Sequence, residues 1–258
     1  MALTTLHGFV RCNFYPAEKQ VSGDILSIAE VFFAHTKDFS SEILSSLECL
    51  NEDDKIKAGK VHNNEDKMTL LTCYTILRMI LSKRLNKKPN DISFLTGTNG
   101  KPGIQDNSLY FNISHTRDSF AFAISDQFGI GIDVEELNRH LNFEPIIKRY
   151  FSGKESEFIL ESKRYSRNRF FLLWTRKEAL LKAIGTGIVS HLSDIEVSKP
   201  INYINRNSIK DFLNVSVSDQ YFIYSRKIHN HYLSVALPQK TKLILYQLNG
   251  NSLKVYMQ

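Results

Sequence analysis

What this chain lacks narrows the field first. No run of apolar residues approaches the roughly eighteen that a membrane-spanning helix needs. The N-terminus has no charged segment leading into an apolar one, so no signal peptide is expected. Its 3 cysteines, Cys12, Cys49 and Cys73, are odd in number, far apart and never arranged as CxxC. They read as buried or surface thiols of a reducing compartment. Proline (6) and glycine (12) are low for 258 residues, and no low-complexity tract is present. The usual aromatic-and-basic stacking motifs of nucleic-acid binders are missing too. The expectation is a soluble, cytoplasmic protein with neither membrane nor nucleic acid among its partners.

What is present is an ordinary globular composition, enough for one large domain or two small ones. The formal net charge of +6 and the pI of about 9.1 bias the chain toward acidic or phosphorylated partners.

The most informative stretch is Trp174-Thr175-Arg176-Lys177-Glu178-Ala179-Leu180-Leu181-Lys182. Phe170, Leu173, Trp174, Leu181 and Ile184 recur at three- and four-residue steps, which predicts a helix. Glu178 and Lys182 then stand one turn apart on one face. Alone they read first as a solvated ion pair. The company they keep comes from upstream. In Gly131-Ile132-Asp133-Val134-Glu135 the strand period of two puts both acids on one face, roughly 7 Å apart. Such acids raise each other's pKa unless something neutralises them, and a hard divalent cation would. Asp133, Glu135 and Glu178 offer that donor set; two solvated edge-strand acids are the plainer alternative.

The remaining elements frame these. A strand is expected from Asp24 to Phe33, then a helix capped at Asn51 with acids in its first turn. Leu70 to Leu81 marks a strongly apolar helix ending in Lys83, Arg84, Lys87 and Lys88 before Pro89. Lys101-Pro102 tips a loop rich in Gly and Asn. Leu109 to Ser114 alternates as a half-buried strand running into His115. Phe120 to Ile124 is a second strand, with a hairpin turn expected at Asp126–Gly129. Short helices follow at Pro145–Phe151 and after Ser152, then a basic connector carrying Lys163, Arg164, Arg167 and Arg169. Gly185-Thr186-Gly187 closes the Trp174 helix. Ile195–Val197, Asn214–Ser218, Tyr221–Tyr224 and Tyr232–Leu237 read as strands of a second sheet, and Leu243–Leu248 as one more apolar run.

Four motifs in this order resemble the 4'-phosphopantetheinyl transferases of the Sfp type: Gly100-Lys101-Pro102, Asn112-Ile113-Ser114-His115, Gly131 to Glu135, and Trp174 to Lys182 with Gly185-Thr186-Gly187. Arg149-Tyr150-Phe151-Ser152 with Glu155 is similar to the family's connecting segment. The resemblance covers roughly residues 25 to 237. It implies an α+β fold of two similar α/β halves, a pseudo-dimer with a coenzyme A cleft between them. The halves are placed at residues 1–125 and 126–258. It also implies the reaction: a serine of an acyl or peptidyl carrier protein attacks the β-phosphate of coenzyme A, giving the holo carrier and 3',5'-ADP. Asp133, Glu135 and Glu178 would hold Mg2+ (or Mn2+). Glu178, or a metal-bound water it orients, would take the serine proton. Lys182 would neutralise or protonate the departing phosphate. Lys101, Ser114, His115 and Lys182 match positions that hold coenzyme A, and Glu155 matches an acid of unassigned role. The family often carries an Arg before its long apolar helix, for the 3'-phosphate. Here the neighbourhood reads Asp66-Lys67-Met68-Thr69, which makes Lys67 the substitute. The expected partner is an acidic carrier protein, and a monomer suffices. The rival readings are a nucleotide- or nucleic-acid-binding protein with a basic surface and no chemistry, and a scaffold that has lost activity.

Overall fold

The computed structural model describes residues 10–14, 27–39, 46–97, 99–105, 108–187, 191–199, 201–203 and 218–250. A first sheet holds β1 (Val10–Phe14), β2 (Ile28–His35), β5 (Tyr110–His115), β6 (Ser119–Ser125) and β11 (Lys242–Leu248), in the order β1-β11-β2-β6-β5. A second holds β7 (Gly131–Glu136), β8 (Ile201–Tyr203), β9 (Gln220–Ile228) and β10 (His231–Leu237), in the order β7-β10-β9-β8. A small hairpin pairs β3 (Phe94–Thr96) with β4 (Pro102–Ile104). The helices are α1 (Glu52–Gly59), α2 (Asn64–Leu85), α3 (Glu144–Tyr150), α4 (Gly153–Leu160) and α5 (Ser166–Ile184).

The layering follows from strands that are apolar on both faces. On β2, Phe32 and Ala34 meet Ile76, Leu77 and Ile80 of α2, while Val31 and Phe33 point the other way. On β10, Leu233, Val235 and Leu237 face those residues, while Ala236 turns toward Leu180 and Leu181 of α5. The two sheets therefore share a central core, with α2 covering the outside of one and α5 the outside of the other. This is the expected α+β fold of two halves, arranged as helix, sheet, sheet, helix.

Five expectations change. The chain does not make a hairpin at 126–129. There it leaves the first sheet for the second, since β6 pairs with β2 and β5, whereas β7 pairs with β10. The run Leu243–Leu248 is β11 of the first sheet, parallel to β2 and antiparallel to β1. Its apolar residues on both faces suit a central strand. A division that gives all of 126–258 to the second half thus departs from the sheets at its C-terminal end. Ile195–Val197 joins no sheet among the described residues and follows a 3-10 turn at Leu192–Asp194. Arg167 and Arg169 are helical, and Arg167 Nη1 donates to the carbonyls of Leu137 (3.0 Å) and Arg139 (2.8 Å), so the basic stretch is tied down. The C-cap of α2 is Asn86, left-handed at φ 50°, and Pro89 opens a separate turn. Of the expected strand at Asn214–Ser218, residues 214–217 lie outside the described residues.

One feature of the first half has no signal in the sequence. Arg78, fully buried on α2, ion-pairs with Asp54 of α1 and donates to the carbonyls of Pro89 and Ile92, both at 2.7 Å. Its guanidinium also lies over the Phe94 ring.

Candidate active site

The site forms where the edge strands β5 and β7 of the two sheets meet. Alternation alone would leave the polar side of β5 in solvent. It is buried instead, with Asn112 at 4% and Ser114 at 6% exposure, because that side abuts β7. Asn112 Oδ1 accepts from the Ile132 N–H (2.9 Å) and Ser114 Oγ from the Val134 N–H (3.2 Å). Two side chains thus satisfy backbone donors that a ladder would otherwise take. Ser114 Oγ also donates to Asp133 Oδ1 (2.9 Å).

From the other side α5 delivers Lys182, whose Nζ donates to Asp133 Oδ1 (2.8 Å) and Ser114 Oγ (3.0 Å). Gly131 sets how close α5 comes. A Cβ there would fall 2.0 Å from the Ala179 carbonyl oxygen and 2.2 Å from the Ala183 nitrogen, so helix and strand touch backbone to backbone. Around this crossing, α5 is pinned residue by residue. Trp174 stacks on Phe170 and leans on Tyr150 and Phe151. Thr175 Oγ1 meets Ser234 Oγ at 2.8 Å. Arg176 donates to Ser225 Oγ (2.9 Å) and to the Val197 and Ser198 carbonyls (both 3.0 Å). Lys177 ion-pairs with Glu155 at 2.9 Å, both side chains fully buried. Of the charged residues in the motif, that leaves Glu178 and Lys182 to face the acids of β7.

Burial, and after it the Asp133 carboxylate, pushes the Glu178 carboxyl up to about 7, with Lys182 opposing. Glu135 rises to about 7 by burial and then by Asp133, with Arg139 and the Trp174 indole opposing. Arg139 Nη1 lies 3.3 Å from Glu135 Oε2. The three acids therefore share one electrostatic neighbourhood. Among the described residues no three carboxylate, His or Cys groups stand at metal-ligating distances as placed. Asp133 is turned to Lys182, and Glu135 to Arg139. Yet Asp133 Oδ2 is buried without a hydrogen-bond partner among the described residues, an unfavourable condition for a carboxylate oxygen. Hard carboxylate donors, one with an unmatched oxygen and Glu135 and Glu178 with raised pKa values, fit Mg2+ or Mn2+.

The other expected site residues are less concentrated. His115 ends β5 with access to solvent; partial desolvation of its ring and the Lys182 cation lower its pKa. Lys67 lies in the first turns of α2, half-buried. Lys101 does approach α5, but its ammonium goes to protein carbonyls, those of Ile130 (3.0 Å) and Ala183 (3.2 Å). Glu155 is buried away from the acids. It closes a capping box with Ser152 and accepts from the Val197 N–H (2.7 Å) as well as pairing with Lys177. Asn112, Lys177 and Trp174 stand inside the motifs read from the sequence, but sequence reasoning gives none of them a role around the site. Only Asn112 has a signal there, as a polar residue alternating with Ser114 beside a glycine-flanked strand.

Comparison with known proteins agrees with these motifs. Residues 129–236 match the family model described as the 4'-phosphopantetheinyl transferase superfamily, and residues 37–127 match one described as 4'-phosphopantetheinyl transferase, N-terminal. The chain is 31% identical to the 4'-phosphopantetheinyl transferase HetI of Nostoc sp., over 61% of this chain and 68% of that protein. It is 32% identical to the 4'-phosphopantetheinyl transferase Sfp of Bacillus subtilis, over 55% of this chain and 62% of that protein. It is 26% identical to the human L-aminoadipate-semialdehyde dehydrogenase-phosphopantetheinyl transferase, over 76% of this chain and 70% of that protein. The chain thus spans from a little over half to about two thirds of the length of the bacterial relatives it matches.

Proposed function

The chain belongs to the 4'-phosphopantetheinyl transferase superfamily, and from that premise we propose that it transfers phosphopantetheine from coenzyme A to a carrier-protein serine. The observation that carries this reading is the meeting of Asp133, Ser114 and Lys182, flanked by Glu135 and Glu178, where the two sheets join. In the reaction the serine oxygen bonds to the β-phosphorus of coenzyme A and the pyrophosphate bridge breaks. The phosphopantetheine stays on the carrier, and 3',5'-ADP leaves.

Glu178 would take the serine proton, directly or through a water, because it is the acid of α5 that faces the acids of β7. Lys182 neutralises charge that grows on the departing phosphate, with Ser114 and Asp133 holding its ammonium in place. Asp133, Glu135 and Glu178 would hold Mg2+ or Mn2+, which when bound offsets negative charge on the phosphoryl oxygens. Coenzyme A is the co-substrate. An acidic acyl or peptidyl carrier protein is the partner that the net charge of +6 favours. A monomer suffices, since both sides of the site come from one chain. No helix among the described residues is long and apolar enough to cross a membrane; cytoplasmic location remains our reading.

The test is direct. Incubate the protein with an apo carrier, coenzyme A and Mg2+, then weigh the carrier. The expected outcome is a gain of one phosphopantetheine that EDTA abolishes. No gain on several diverse fatty-acid, polyketide and peptide carriers would sink the reading.

A further inference from the structure

Lys101 sits in a setting that does not suit an ammonium. Its charged end is largely desolvated and, among the described residues, meets no carboxylate, only the carbonyl oxygens of Ile130 (3.0 Å) and Ala183 (3.2 Å). An ammonium prefers water to that setting unless the acceptors carry extra negative charge. Ala183 supplies some, because it lies in the last turn of α5, where carbonyls lack intrahelical partners and the helix dipole is negative. Nor does Lys101 stand alone. Two residues earlier on the same loop, Asn99 Nδ2 donates to the Gly185 carbonyl (2.7 Å). The Lys101 methylenes pass 3.8 Å from where a Gly185 Cβ would be. The loop closes on itself by bonds from Gly97 N to Lys101 O and from Gly100 N to Gly97 O, each 2.9 Å.

The two anchored carbonyls mark particular points. Ile130 immediately precedes β7, and Ala183 immediately follows Lys182. Between them lies the contact of Gly131 with Ala179 and Ala183, where α5 crosses β7. Two residues along β7 is Asp133, and one residue back on α5 is Lys182, 2.8 Å apart at their charged ends. A lateral slip of α5 by about 1 Å would open that contact beyond hydrogen-bond range.

We propose that Lys101 is a positioning residue: it staples the C-terminal end of α5 to the start of β7, and so keeps Lys182 and Glu178 in register with Asp133, instead of contacting coenzyme phosphates. The staple reaches across from the β3–β4 loop of the first half, so that half braces the helix which delivers Lys182 and Glu178 to the site between the sheets. Burial lowers the Lys101 pKa to about 8, as expected for an ammonium held by carbonyls alone. The proposal takes its activity readouts from the transferase reading, and its hydrogen-exchange readout stands without it.

The experiment compares wild type with Lys101→Met and with Asn99→Ala, whose solvent-exposed side chain makes it the safer variant for folding. Amide hydrogen exchange on the ligand-free proteins should show the last turn of α5 exchanging about tenfold faster in Lys101→Met. A smaller increase is expected in Asn99→Ala, with the rest of α5 unchanged in both. In steady-state transfer, Lys101→Met should lose about tenfold or more in kcat while KM for coenzyme A stays within about threefold, and equally with dephospho-coenzyme A. Unchanged exchange in both variants would overturn the staple whatever the enzyme does. A KM effect confined to coenzyme A, absent with dephospho-coenzyme A, would mean that Lys101 contacts the 3'-phosphate. If Lys101→Met does not fold, Asn99→Ala alone decides by the same exchange measurement. Should wild type transfer nothing, the function fails while the exchange result still tests the staple.

Discussion

Two lysine–carboxylate pairs are built around α5, one using Lys177 and the other Lys182, and they differ in what they leave over. Lys177 Nζ uses all three donors: on Glu155 Oε2 (2.9 Å), on the Leu192 carbonyl (3.0 Å) and on the Ile195 carbonyl. Glu155 in turn accepts from the Val197 and Ser152 N–H groups. Both side chains are fully buried. The Lys182–Asp133 pair is less complete. The lysine keeps 29% of its side chain exposed, and Asp133 Oδ2 has no hydrogen-bond partner among the described residues. A buried pair with every valence matched does structural work, here tying α4 and the 192–197 segment to α5. A pair with an oxygen to spare, next to two carboxyls pushed up to about 7, is arranged for something that binds.

The hardest way to break this contrast is at the satisfied pair. Lys177→Met strands the Glu155 carboxylate in the core, and removing one member of such a pair costs about 3–5 kcal/mol. Urea unfolding should show that loss, and adding Glu155→Leu should recover much of it. Lys182→Met should lose less than half as much stability, since Asp133 keeps the Ser114 hydroxyl. Equal losses at the two lysines would erase the distinction.

Activity should rank them the other way. Lys182→Ala is expected to lower kcat by about 100- to 1,000-fold, or about 2.7–4 kcal/mol, at any metal concentration, because its contact is to charge that grows during transfer. Asp133→Ala should weaken metal-dependent turnover, with part of the loss recovered as Mg2+ is raised. Equal rescue of both by excess Mg2+ would contradict the assigned roles.

The unmatched acids have a pH signature. Glu135 and Glu178 have folded pKa values near 7 against an ordinary 4.5, so between those values the folded state holds protons that the unfolded state has released. Their burial therefore costs stability progressively as pH rises from about 4.5 to 7, and the full cost is present above 7. A cation that replaces those protons should stabilise most at high pH. At about 100 times its dissociation constant, Mg2+ should contribute roughly 2.7 kcal/mol near pH 8. Below about pH 5, where protons hold the site, the gain should vanish. Thermal shift with and without Mg2+ across that range measures it. A gain independent of pH would place the metal elsewhere.

How much of this is legible in the sequence depends on whether a residue's role follows from its own neighbours along the chain. Period-two spacing places Asp133 and Glu135 together, and the helical repeat places Glu178 and Lys182. Nothing local says that β6 and β7 part into different sheets, because apolar alternation looks the same in either. The burial of Asn112 and Ser114 is hidden for that reason: strand polarity predicts solvent, and only the meeting of β5 with β7 supplies the backbone donors that those side chains accept from. The Lys177–Glu155 pair joins two helices across 22 residues, and the Lys101 staple spans 82 residues to Ala183. Contacts at such separations have no period to betray them. Likewise β11 shows itself as an apolar run, but its place between β1 and β2 is a matter of topology.

The smallest expected effect concerns the coenzyme's 3'-phosphate. That group carries close to two negative charges and is best met by a fork of donors, which an arginine supplies and a lysine does not. In this chain the position before the long helix offers Lys67, half-buried in the first turns of α2, with Lys60 nearby in sequence. A point-charge contact in a partly solvated cleft contributes roughly 1 kcal/mol. Coenzyme A and dephospho-coenzyme A should therefore differ by about tenfold or less in kcat/KM. Lys67→Ala should shrink that difference further and leave the reaction with dephospho-coenzyme A nearly unchanged. The same pair of substrates separates this contact from the Lys101 staple, whose loss should affect both coenzymes alike. A thousandfold preference for coenzyme A that survives the Lys67 change would mean that a different group, with His115 the first to test, holds the phosphate.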